Sequence, residues 1–171
     1  MADFDFKTLI TDRSQADVDY LSALTARIVA GTASASDLDA FETDLRGAYN
    51  AGDMNRVGQA VAVLAQELEA LGFPTTTSPK TDWAVGDIPT PEQLSSYLAD
   101  VAAVCAALPL PATAPELPES MDALTFEGAN AIEGALLAVK TAIEKFRAAF
   151  TYSGTMYSGM RTQFISGGTS I

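Results

Sequence analysis

The chain has 171 residues, 48% of them hydrophobic and 19% charged, a composition that suits a folded domain and excludes a disordered polymer. Ten Lys and Arg against 22 Asp and Glu give a net charge of -12 at pH 7, which disfavours direct contact with nucleic acid or an anionic membrane surface. The lack of His and the single Cys, Cys105, exclude imidazole catalysis, His- or Cys-cluster metal sites and an intrachain disulfide.

The opening residues, Met1 to Phe6, are acidic where a signal peptide needs basic residues before an apolar block. Five segments then carry helical periodicity, and none has the period-two alternation of a strand. From Ser14 to Ala30, Val18, Leu21, Leu24 and Ile28 share a face, Ser14 and Asp17 resemble a capping box, and Gly31 is the stop. A second helix, Ser36 to Arg46, aligns Leu38, Phe41 and Leu45, with Asp37 and Asp39 suiting the dipole of its first turn.

Between Asp53 and Leu71 the residues Val57, Val61, Leu64, Leu68 and Leu71 form a heptad-like seam, with Asp53 as expected N-cap and Gly72 as stop. Thr90-Pro91-Glu92-Gln93 is the strongest helix start in the chain. Leu94, Tyr97, Val101, Val104 and Leu108 follow on one face, up to Pro109. The fifth seam, Ile132, Leu136, Val139, Ile143, Phe146 and Phe150, belongs to a long helix from Thr125 to Phe150. Seams of this kind predict an all-α, antiparallel bundle of about five helices.

Two connections, Phe73–Pro89 and Leu108–Leu124, are too long for turns, and their prolines stiffen them into extended covers. Trp83 and Ile88 are the expected anchors of the first, and Glu119–Leu124 is expected to add a short helical turn to the second. Residues 1–72 thus read as a three-helix part, 73–150 as two long helices completing the bundle, and 151–171 as a neutral tail. That tail has no acid and one base, Arg161, repeats Tyr-Ser-Gly at Tyr152 and Tyr157, and has β-prone or extended composition.

Carboxylate pairs such as Asp17/Asp19, Asp37/Asp39 and Glu67/Glu69 lie two apart on helices, where they diverge and read as solvated faces rather than an acid/base pair. Cys105 falls on the apolar face of the fourth helix as a buried, inert thiol. No phosphate-cradling glycine loop or calcium loop is present, so no catalytic residue, metal or cofactor is assigned. Tyr49, Asn50, Asn55 and Arg56 form the one polar stretch that would serve as a recognition patch; the simpler reading is a helix corner, with Asn50 and Asp53 capping and Arg56 paired to an acid. In the tail, Tyr152, Tyr157, Arg161 and Phe164 are the candidate partner-binding residues, since uncharged aromatics suit interface cores.

Several stretches in one order resemble a helical module of structural proteins from tailed bacteriophages and prophages. They are Leu9–Val18, Gly47–Asn50 with Asp53–Val57, and Asp87–Gln93. Leu117–Met121, Ala129–Glu133 and the Tyr-Ser-Gly tail complete the set. The resemblance implies a non-enzymatic virion component of the tail or baseplate, made in the host bacterial cytoplasm. It would sit among other virion proteins in repeated copies or as a homo-oligomer, without membrane insertion. Two rival readings are a free adhesin for a host surface or carbohydrate, which needs Trp83, Tyr49 and Tyr97 as exposed platforms, and a hydrolase, which needs two acids converging in a cleft.

Overall fold

The computed structural model describes residues 4–43 and 46–160, and every regular element among them is helical. After a short 3-10 turn at Phe6–Thr8 come α1 (Gln15–Val29), α2 (Ala35–Thr43), α3 (Ala51–Ala70), α4 (Pro91–Ala106) and α5 (Phe126–Met160). Local chemistry accounts for the starts. Ser14 donates its N–H and hydroxyl to Asp17 at 2.7 and 2.8 Å, and Thr90 and Gln93 bond reciprocally ahead of Pro91. The N-cap of α3 is Asn50 rather than Asp53: its Oδ1 accepts from the Gly52 and Asp53 N–H groups, while Asp53 reaches back to the Asn50 N–H at 3.0 Å.

The core is made by α3, α4 and α5, each packed on the other two. Val57, Val61, Leu64 and Leu68 of α3, Val101 and Val104 of α4, and Ile132, Leu136, Val139 and Ile143 of α5 are fully or almost fully buried there. By contrast α1 and α2 pack chiefly on each other, tied by an Arg27–Asp37 ion pair at 2.7 Å. Leu24 is the one buried residue of α1, and Leu38 and Phe41 of α2 are exposed. In place of the expected five-helix bundle there is a three-helix core preceded by a helical hairpin that packs chiefly on itself.

Between α3 and α5 the expected antiparallel packing is also overturned. Near the start of α3, Arg56 bonds Glu133 early in α5; near its end, Glu67 bonds Lys140 and Arg147 further along α5. Phe73, just past α3, stacks edge-on against Phe146 at 5.2 Å. The two helices run in the same direction. Parallel helices need a full-length return between them, which explains the long connections. The first return passes Gly58, against which the Lys80 carbonyl lies, and then Asn55, which bonds both backbone groups of Trp83. It has thus travelled back down α3 before α4 begins. The second passes Gly134 at Pro115 and Gly128 at Pro118, moving down α5. Seventeen residues from 73 to 89 reach further than the roughly 30 Å of a 20-residue helix, so the return closes without strain.

The N-terminal segment makes a third such pass. Phe6 lies under Lys140, the Ile10 N–H meets Glu133, and Arg13 pairs with Asn130. Non-helical segments therefore run opposite to the core helices three times, once along α3 and twice along α5.

Helix α5 continues to Met160, so residues 151–160, expected to be extended, are helical. Extending a formed helix avoids the cost of a new nucleus, and that outweighs the weak propensity of the Ser, Thr and Gly residues there. Tyr152 and Tyr157 fall within this stretch, whereas Arg161, Phe164 and the rest of 161–171 lie outside the described residues. Two smaller expectations fail: Glu119–Leu124 holds turns rather than helix, and Cys105 is half-buried. No described helix is long and apolar enough to cross a membrane.

Candidate functional site

The most organised polar group in the molecule is where the starts of α3 and α5 meet the end of the N-terminal segment. Asp53 is the third residue of α3, and Arg56 lies one turn on. Glu133 lies on α5 and is fully buried; Arg13 comes from the segment ahead of α1 and is nearly so. The Arg13 Nη2 donates to Asp53 at 2.8 Å and to Glu133 at 2.7 Å. Arg56 donates Nε and Nη2 to Glu133 at 3.1 and 2.9 Å, and Nη2 also to Asp53. Glu133 further accepts the Ile10 N–H at 2.6 Å, and Asn130 bonds both the N–H and the carbonyl of Arg13.

Two cations and two anions balance, and nearly every polar atom has a partner; Arg13 Nε is buried without one. Such an arrangement holds chain segments together. Its two carboxylates, Asp53 and Glu133, are buried, and Arg56 alone reaches the surface appreciably, at the edge of a concavity shared with Phe4 and Asp5. Asp53 and Glu133 do converge, as the hydrolase reading requires, but the two guanidinium groups occupy their inner oxygens and the protein encloses them.

Above the cluster, Arg13 lies 5.6 Å from the Tyr49 ring centroid, and the Tyr49 and Tyr97 hydroxyls share a 2.5 Å hydrogen bond. Burial pushes both phenols well above their ordinary pKa. The four residues of the candidate recognition patch are thus brought close together but turned to internal bonds: Asn50 caps α3, Asn55 holds Trp83, Arg56 joins the ion cluster and Tyr49 is shared with Tyr97. Trp83 is 7% exposed, and Lys80 Nζ sits 4.8 Å from its ring. The other expected anchor, Ile88, is 90% exposed. Its position follows from the turn at 84–88, which carries the chain away from α3 after Trp83 has already secured the connection.

The composition of the chain drew attention to the corner at 47–56 but not to Arg13 or Glu133. The available signal was an acid at position 133 on the flank of an apolar seam, between Ile132 and Leu136, where a charge needs a partner. Burial pushes the Cys105 thiol up to about 11, which disfavours a nucleophilic thiolate at neutral pH. No group of three or more acids or Cys positioned to hold a metal ion occurs among the described residues. No family model, curated protein or solved structure matches the chain.

Proposed function

We propose that this chain is a non-enzymatic structural component of a tailed-phage virion, of the tail or baseplate, that docks to neighbouring virion proteins in repeated copies. The observation that carries the reading is the division of labour between core and periphery. The buried charges are used in joining chain segments, while Tyr20, Val29, Leu38, Phe41, Val85 and Ile88 stay exposed outside the three-helix core. Apolar side chains gathered on peripheral elements suit docking. The uncharged end of α5 past Arg147, with the residues that follow it, supplies one attachment through Tyr152, Tyr157, Arg161 and Phe164. The resemblance of the sequence stretches described above supplies the virion setting.

The adhesin reading is weaker, because Trp83 and Tyr97, two of its three aromatic platforms, are buried. Deleting residues 151–171 and measuring incorporation into purified particles tests the assignment. Incorporation is expected to fall sharply; normal incorporation of the shortened chain defeats the attachment, and failure of the intact chain to appear in particles by mass spectrometry defeats the virion role.

A further inference from the structure

We propose that the concavity between the start of α3 and the turn at residues 84–88 is a binding site for a quaternary ammonium group, the chemistry of choline. It holds about 490 Å³, within the range of small-ligand sites. Its walls include Tyr49, Met54, Trp83, Val85, Asp87 and Pro89, so two aromatic rings, a thioether and aliphatic carbon surround a single carboxylate. Asp87 is exposed and has no cation partner among the described residues. The chain does set cations against both rings, Arg13 at 5.6 Å from the Tyr49 centroid and Lys80 at 4.8 Å from that of Trp83. Neither is a wall of the concavity, and Asp87 stays uncompensated. The turn that carries this acid is firmly built. One carboxylate oxygen accepts the Ala84 N–H at 2.9 Å, and the Asp87 N–H donates to the Ala84 carbonyl at 3.1 Å. Asn55 fixes the base of the turn through both backbone groups of Trp83.

Charge selects a cation, and the walls select which one. A chain of net charge -12 concentrates cations at its surface. The positive end of α3 offers little opposition, because Asn50 Oδ1 already accepts the Gly52 and Asp53 N–H groups and the Asp53 carboxylate lies in the same turn. A protonated amine or a guanidinium group brings several N–H donors, each of which needs an acceptor once water is displaced, and walls of carbon and sulfur supply few. A quaternary ammonium group has no N–H. Its methyl groups pack against rings and thioether while the charge they carry is met by one nearby carboxylate. The inference stands independently of the virion assignment.

Choline and tetramethylammonium are titrated into the full chain at constant ionic strength, followed by calorimetry and by the emission of Trp83, the sole Trp. A dissociation constant of about 1–10 mM is expected for each. Dimethylbutanol, the uncharged carbon isostere of choline, and ethanolamine, its unmethylated counterpart, are expected to bind at least about tenfold more weakly. Asp87→Asn keeps an oxygen for the Ala84 N–H, so circular dichroism and melting should match the parent while choline binding weakens at least about tenfold. Glu69→Gln removes the same charge from an exposed position near the other end of α3 and is expected to leave the affinity within about twofold. Absence of choline binding up to about 100 mM overturns the proposal. So does an isostere or ethanolamine that binds as well as choline, or an affinity that Asp87→Asn leaves unchanged.

Discussion

Replacing Glu133 with Gln keeps the shape of the side chain but removes the charge at the centre of the cluster. In the native protein its carboxylate receives four donors: the Ile10 N–H, one N–H from Arg13 and two from Arg56. A Gln amide offers one acceptor oxygen in place of two, so its NH2 group must face at least one of these donors. Asp53 alone then balances two guanidinium groups in a buried setting. Removing one partner of a buried pair costs about 3–5 kcal/mol, because the charge left behind is not rehydrated. For a chain of this size each kcal/mol lowers the melting temperature by about 2–4 °C, so a fall of roughly 6–20 °C is expected. With a urea slope near 2 kcal/mol/M, the midpoint moves down by about 2 M. Urea titration followed by Trp83 fluorescence and by far-ultraviolet circular dichroism gives the number. A variant within about 1 kcal/mol of the parent would refute the claim that this cluster binds the N-terminal segment to α5. Arg13→Met/Glu133→Leu adds a second check: it should cost less than the sum of its single changes, since removing both partners leaves fewer uncompensated charges.

Gly58→Ala places a Cβ 2.5 Å from the Lys80 carbonyl oxygen, so the return segment must shift; urea titration should show a loss of about 1–3 kcal/mol, and an unchanged midpoint speaks against the close approach. Asn55→Ala leaves both Trp83 backbone groups unpaired, and native Trp emission is expected to move to the red with a similar loss of stability. The Cys105 thiol, raised by burial from 9.0 to about 11, should react with iodoacetamide about a hundredfold more slowly at pH 8 than in the urea-unfolded chain. Rates within threefold of each other would count against its burial. The folded state holds that proton more tightly, so the same group favours folding below pH 9 and loses that contribution as pH climbs to about 11. Hydrogen bonds from Ser14 hold Asp17 below the usual carboxylate range, and the Arg27 guanidinium does the same to Asp37. Depressed carboxyl groups stabilise above their unfolded pKa and lose this as pH falls through the folded one, so the α1–α2 hairpin should keep its helicity at pH 4 and lose it only in stronger acid, as read by circular dichroism.

Helix positions were the most legible part of the sequence. Thr90-Pro91 and the Gly31 and Gly72 stops lie at element ends, and the seams of α3, α4 and α5 are buried along most of their length, with Phe150 at the end of the α5 seam 68% exposed. Direction was not legible, because an apolar residue every three or four positions reads the same for parallel and antiparallel neighbours. Only the connection lengths carried that information: segments such as 73–89 are needless for a hairpin of helices and necessary for a return. The hairpin α1–α2 shows the opposite failure. Its periodic faces at Leu21, Leu24, Leu38 and Phe41 look like core stripes, yet only Leu24 is buried, since periodicity specifies a face and not what covers it. At the cluster, Asn50, Asp53 and Arg56 were visible through local capping and pairing. Arg13 and Glu133 were not, as they meet across 120 residues and no short-range spacing encodes that contact. Ile88 was misplaced because an aliphatic residue beside a Trp suggests shared burial, whereas the turn at Asp87 separates them.

That long-range meeting also bears on how the chain comes into being. A polypeptide leaves the ribosome with its first residues foremost, and Ile10 and Arg13 then have nowhere to settle until the segment around Asn130 and Glu133 has been made. Until then Arg13, Asp53 and Arg56 carry an excess positive charge that cannot be shut away from water. Segment 73–89 can settle along α3 earlier, but the N-terminal segment waits for α5, and local contacts alone do not complete the core. Synthesis of Ile10 and Arg13 and closure of the cluster are thereby separated in time, since α5 supplies the partners that complete it.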